Sequence, residues 1–136
     1  MVRHHHITLS PRKRGYYLIT KEVIDALPIL PVDGVLHLFL QHTSAGLTIN
    51  ENADPSVRVD FESYINHIVP ERMDFITHDY EGDDDMPAHI KSAIVGHSVS
   101  IPISKNRLLL GTWQGIYLCE FRNDWHARKL IASIYE

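Results

Sequence analysis

VLHLFLQHTSAGLTINENADP (35–55) encodes, in one stretch, a strand, a break, a second strand and the start of a helix. In VLHLFLQHT (35–43), Val35, His37, Phe39 and Gln41 share one face, and Leu36, Leu38, Leu40 and His42 share the other. SAGLTINEN (44–52) follows as a strand after a glycine-containing break. Asp54-Pro55 then offers an N-cap carboxylate and a proline at the first helical position. Behind it Val57, Phe61, Tyr64, Ile65 and Ile68 recur at helical spacing, and the helix must end before Pro70.

Working outward, ITLS (7–10) and the three histidines before it read as an edge strand, PRKRG (11–15) as a basic turn and YYLIT (16–20) as a strand. Thr20 is placed to N-cap a short helix over 21–27, which Pro28 stops. Residues 71–84 form a polar, acidic loop. Asp85 is placed to cap a second helix over 86–95, with Ile90, Ala93 and Ile94 as its buried stripe and Gly96 at C′. HSVSIPIS (97–104), a Lys105-Asn106 turn, RLLLGTWQGIYLCEFR (107–122), the turn NDWHA (123–127) and RKLIASIYE (128–136) read as antiparallel strands. Gly111 and Gly115 in the long segment mark a bulge or a close backbone approach. About eight strands and two or three helices make a mainly β, α+β fold, a sheet or sandwich with helices on one side.

The 136 residues fit one domain, 1–136, and can bury a core unaided. A net charge of -4 gives no reason to expect nucleic-acid binding. No stretch is long and apolar enough to span a membrane, and no signal-peptide core opens the chain, so no membrane partner and a cytoplasmic location are expected. The lone Cys119 has no disulfide partner and lies in an apolar run, as a buried, inert thiol would.

Three polar constellations stand out. His42 ends an apolar strand and is followed within a few residues by Asn50, Glu51, Asn52 and Asp54. Polar groups this dense beside a core strand need partners or a ligand. HDYEGDDDMPAH (78–89) combines two histidines with a carboxylate run, of which Asp83, Asp84 and Asp85 are accounted for by capping and solvation. No HExxH or paired CxxC is present, so any metal site must be assembled from distant segments. Gly111-Thr112-Trp113-Gln114-Gly115 suits either a core bulge or a pocket wall. Ser44 lacks the GxSxG context of a serine hydrolase nucleophile. Outside Arg12, Lys13 and Arg14 the basic residues are scattered, Arg122 among them, so a phosphorylated substrate would need some of these residues or a metal.

HTSAGLTINENADPSVRVD, HDYEGDDDMPAHIKS and SIPISKNRLLLGTWQGIYLCEFR together resemble the signature blocks of the YjbQ-like proteins, often labelled secondary thiamine-phosphate synthases. The resemblance runs over essentially the whole chain. It implies an antiparallel β-sandwich with flanking helices, a homotrimer, and a polar pocket near the subunit interface able to hold a divalent metal, zinc or magnesium. The family's pocket positions fall on His42, Thr43, Ser44, Asn50, Glu51, Asp54, Asp60, His78, Glu81, Asp84, His89 and Thr112, Trp113 and Gln114. We assign His42, His78 and His89 as metal ligands and His42, Glu51, Asp60 and His89 as catalytic groups. Thr43, Ser44, Asn50, Glu81, Asp84, Thr112, Trp113 and Gln114 are assigned to substrate binding. The implied activity joins a pyrimidine pyrophosphate to a thiazole phosphate, giving thiamine phosphate and pyrophosphate. The alternatives are a metal-dependent hydrolase of a small phosphorylated metabolite and a non-catalytic ligand-binding trimer.

Overall fold

A computed structural model describes residues 1–136. It contains β1 (Val2–Leu9), β2 (Gly15–Leu18), α1 (Thr20–Ala26), β3 (Asp33–Leu40), β4 (Ala45–Glu51), α2 (Pro55–Ile68), α3 (Asp85–Val95), β5 (Ser98–Ser104), β6 (Arg107–Leu108), β7 (Gln114–Glu120) and β8 (Arg128–Tyr135). A five-stranded sheet runs β1-β8-β3-β5-β6 and a three-stranded sheet β2-β7-β4, with every pairing antiparallel.

Alternation explains the layering. Leu36, Leu38 and Leu40 of β3 are buried, as are Leu130, Ala132 and Ile134 of β8, and they meet Leu47 of β4 and Ile116 and Leu118 of β7 in one core. The opposite face of the small sheet carries Tyr117 and Cys119, which with Phe121 and Ala88 of α3 form a second core. Cys119 is fully buried, and burial pushes its thiol up to about 12. Helices α2 and α3 cover that face, and Phe61 of α2 stacks on Tyr16 with ring centroids 5.7 Å apart.

Four local expectations are corrected. Thr20 lies inside α1 and makes no cap; its Oγ1 accepts from Ile116 N–H over 2.9 Å, tying α1 to β7. The single strand expected over 107–122 is two strands in different sheets, because the chain crosses from one sheet to the other between Leu108 and Gln114. Gly115 permits the close approach there, since a Cβ would lie 2.6 Å from Leu18 Cδ2. Helix α3 is rotated from its expected phase: Asp85, Pro87, Ala88, Lys91 and Ser92 are buried, while Ile94 is 57% exposed. Its N-cap is Asp84, not Asp85.

Gly46 sets how closely α3 lies on β4. A Cβ there would meet Val95 Cγ1 at 2.9 Å and Gly96 O at 3.1 Å. The contact is locked by Ser92 Oγ donating to Ala45 O (2.7 Å) and Leu47 N–H to Gly96 O (3.0 Å). The N-terminal half of α3 is thereby held beside the turn that enters β4.

Candidate functional site

At one end of the sandwich the β3–β4 turn, the start of α3, the end of β7 and the start of β8 enclose a cleft of about 420 Å³. It is lined almost wholly by polar groups, among them His42, Thr43, Ser44, His78, Glu81, Asp85, His89, Arg122, His126 and Arg128.

Asp85 is its centre, with 2% of its surface exposed. Arg122 Nη1 donates to Asp85 Oδ1 over 2.6 Å. On Oδ2, His78 Nε2 lies at 2.7 Å and His89 Nε2 at 3.4 Å. The ligand atoms of His78, Asp85 and His89 all lie within 4.8 Å of one another. Asp85 and His89 come from one helix face at i, i+4; His78 comes from the preceding loop.

The tautomer of His89 is fixed by its other nitrogen. Nδ1 faces the Thr43 carbonyl at 2.8 Å, and a carbonyl only accepts, so Nδ1 carries the proton. A lone pair on Nε2 then faces a carboxylate oxygen. Two acceptors so placed call for a proton or a cation between them. A ring nitrogen aimed at the ligand position, with its partner tied to a backbone carbonyl, is the usual arrangement of a metal-binding histidine. The residues therefore fit a divalent cation, and two imidazoles with one carboxylate suit zinc better than the all-oxygen shell magnesium prefers.

Behind the ligands stands a salt-bridged wall. Arg122 Nε donates to Asp84 Oδ2 (2.9 Å) and Nη2 to Glu81 O (3.1 Å). Burial works against the Asp84 charge, yet the Asn123 N–H and Arg122 hold its carboxyl below the ordinary range. Arg128 grips the buried Glu120 in a two-point pair, Nε to Oε1 at 2.7 Å and Nη2 to Oε2 at 2.5 Å, and reaches Ser44 O at 3.2 Å. Both guanidinium groups are thus already committed to carboxylates.

The cleft brings together His42, Thr43, Ser44, His78, Glu81 and His89, with Asp84 just behind. Within this group His42 is set apart, because its Nε2 accepts from Lys129 N–H over 2.8 Å and it is not one of the three converging ligands. Burial, followed by Arg128, Lys129 and His126, lowers its pKa against the pull of Glu120.

The other sequence candidates lie at the far end of β4, roughly 20 Å away at the rise of an extended strand. There Asn52 Nδ2 donates to Thr112 O and Gln114 O, Gln114 Oε1 accepts from Gly111 N–H, and Glu51 accepts from Asp54 N–H. Asn50 Oδ1 accepts from Glu51 N–H, Trp113 is 64% exposed and Asp60 stands exposed on α2. In one chain Asn52 ties β4 to the β6–β7 connection, and none of these groups lines the cleft.

Asp85, Arg122, His126 and Arg128 were not assigned to the site from the sequence, Asp85 being read there as a helix cap. The i, i+4 spacing of Asp85 and His89 was a readable signal. Nothing local marks Arg122, whose partner Asp85 lies 37 residues away, and Arg128 pairs with Glu120 eight residues back while reaching Ser44 O 84 residues away. A second hollow of about 250 Å³, with Met73, Ile76, Met86 and Pro87 in its wall, shares His78 with the cleft.

A family model described as UPF0047 protein YjbQ-like matches residues 5–136. The chain is 52% identical over 130 residues to the UPF0047 protein YjbQ of Salmonella typhimurium, covering 94% of each chain. It is 48% identical over 104 residues to a UPF0047 protein of Methanocaldococcus jannaschii, covering 76% of this chain and 72% of that one. A crystal structure of a conserved hypothetical protein of Thermus thermophilus superposes with a TM-score of 0.82 at 31% identity, over 93% of this chain and 97% of that one. A YbjQ-like protein of Sulfolobus solfataricus, 22% identical, shares the fold with a TM-score of 0.84 over 98% and 96% of the two chains.

Proposed function

The chain belongs to the UPF0047 YjbQ-like family, and from that footing we propose that its cleft is a divalent-metal centre acting on a small phosphorylated metabolite, with thiamine-phosphate formation as a secondary activity. The observation that carries this reading is the convergence of His78, Asp85 and His89, with the lone pair of His89 Nε2 set against Asp85 Oδ2. A cation bound there supplies Lewis acidity toward a phosphoryl oxygen. The chain's own groups do the positioning. Arg122 fixes Asp85, the Thr43 carbonyl orients His89, and Ser44 and His126 line the space a substrate would occupy. The hollow beyond His78, lined by Arg72, Asp74, Asp79 and Asp83 as well as by Met73, Ile76 and Met86, offers room for a part of the substrate that does not react.

The commitment of Arg122 and Arg128 to carboxylates supports the secondary standing of the thiamine reaction. A leaving pyrophosphate gains most from free guanidinium groups, and these two are engaged. A second reading, hydrolysis of a phosphoester, is favoured by the openness of the cleft, because three protein ligands leave a position for water. The family resemblance adds a homotrimer, and the apolar side chains exposed on the helical face, Tyr64, Ile68 and Ile94, support self-association.

The first test is metal binding by the purified protein. One zinc per chain is expected, with affinity falling about 100-fold or more in Asp85→Asn, read by competition with a chromogenic chelator. Stoichiometric zinc that ignores Asp85→Asn and His89→Ala would place the ion elsewhere. Overexpression is then expected to restore growth to a strain lacking thiamine-phosphate synthase, and Asp85→Asn to abolish that rescue. If neither protein restores growth, while phosphoesters are turned over with zinc or manganese, the hydrolase reading replaces it. Ligand binding without turnover in either assay would leave a binding protein.

A further inference from the structure

His42 is wired differently from the two histidines of the metal cluster. Gln41 N–H donates to Lys129 O over 3.0 Å, and Lys129 N–H donates to the His42 ring at 2.8 Å, so the imidazole takes the bond that the Gln41 carbonyl would accept in a continued ladder. A backbone N–H can only donate. Nε2 is therefore the unprotonated nitrogen, and the proton of the neutral ring sits on Nδ1. Nδ1 makes no hydrogen bond within the chain and is not among the polar atoms sealed from solvent. The ring lines the same cleft as Ser44, His89 and His126. Burial first, then Arg128 and Lys129 on β8 and His126 before it, discourage a second proton, and Glu120, which pulls the other way, is already held by Arg128.

We propose that His42 serves the cleft as a fixed Nδ1–H donor to an oxyanion of the bound substrate, and that it neither ligates the metal nor accepts a proton. A neutral imidazole presented in this way polarises an oxygen without proton transfer. The backbone bond to Nε2 fixes both the tautomer and the ring orientation, so the donor is set before substrate arrives. The location of the oxyanion rests on the metal reading above; the tautomer does not.

Long-range proton–nitrogen NMR of the 15N-labelled wild-type protein tests both parts. At neutral pH His42 should show the Nδ1–H tautomer, unmoved by saturating zinc, while the ring nitrogens of His78 and His89 shift. Inorganic phosphate, titrated into the zinc-loaded protein, should perturb the His42 Nδ1–H signal. In His42→Ala phosphate affinity should fall about tenfold, the worth of one good hydrogen bond, with zinc affinity unchanged within about twofold. The proposal is overturned by an Nε2–H or doubly protonated ring, by a zinc-induced shift at His42, or by equal phosphate affinity in a folded His42→Ala protein. The wild-type spectra decide the matter even if that variant unfolds. Absence of a zinc shift at His78 and His89 would instead sink the metal reading, and phosphate titration of the metal-free protein would then judge His42 alone.

Discussion

Lys91 lies beneath α3 with 1% of its surface exposed, its Nζ donating to Asn66 Oδ1 over 2.6 Å and lying 5.9 Å from the Phe121 ring centroid. Burial and then the nearby Arg14 bring its pKa from 10.5 down to about 8, against the opposing pull of Glu71, Glu62 and Asp84. Below pH 8 folded and unfolded chains both hold the proton, so the cost of burying the charge is present in full. Between about pH 8 and 10.5 the folded chain releases its proton first, and stability should rise with pH across that window. The gain is roughly 3 kcal/mol, about 2.5 pH units at 1.36 kcal/mol per unit. Lys91→Met should be as stable as wild type or more so at pH 7, because Asn66 keeps its bond from Arg14, and should lose the alkaline rise. Denaturant unfolding of both proteins at pH 7, 8.5 and 10 decides it; a wild type whose stability is flat over this range refutes the account.

Helix α3 ties fold to chemistry, because it supplies Asp85 and His89 and is held against β4 at Gly46. Gly46→Ala would push a methyl into Val95 Cγ1 and Gly96 O, and overpacking of this kind costs roughly 1–3 kcal/mol. The displacement should reach the proposed metal ligands, since the Thr43 carbonyl that orients His89 lies at the entrance of β4. We expect a lower melting temperature together with weaker zinc binding. If stability falls and zinc affinity does not, the helix does not position the site. The Glu120–Arg128 pair plays a similar part between β7 and β8, joining the ends of the two sheets at the cleft and holding the Ser44 carbonyl.

On the scale of the molecule, the chain leaves apolar surface that its own helices do not cover. Tyr64 is 72%, Ile68 61% and Ile94 57% exposed, around a groove of about 340 Å³ between α2 and α3. Isolated exposed apolar residues are ordinary, whereas several bordering one groove suit a partner. Light scattering on the eluted protein should give three times the 15.6 kDa chain mass, and Ile68→Asp with Ile94→Asp should give the monomer. A wild type running at 15.6 kDa would remove the homotrimer. No helix is long and apolar enough to cross a membrane.

The sequence by itself determined the elements whose signals are local. The alternation of Leu36, Leu38 and Leu40 specified a strand with one buried face, and Asp54-Pro55 specified the start of α2, where the Asp54 side chain accepts from Ser56 N–H. The positive φ at Lys105 and Asn106 made the β5–β6 turn as the dipeptide implied. Helical period was legible in α3, but its phase was not. The face turned inward depends on what lies across from it, and Arg122 made a buried Asp85 stable where an unpartnered carboxylate would have stayed in solvent. The candidate site divided for the same reason. His42, His78 and His89 were legible as residue types, and family resemblance singled them out. Only the tertiary structure brought His78 to the i, i+4 pair of Asp85 and His89 and gave the Nε2 of His42 to a backbone N–H 87 residues away. Periodicity reports a residue's neighbours along the chain; the partner that neutralises a buried charge, or fixes a histidine's tautomer, comes from wherever the strands have been brought together.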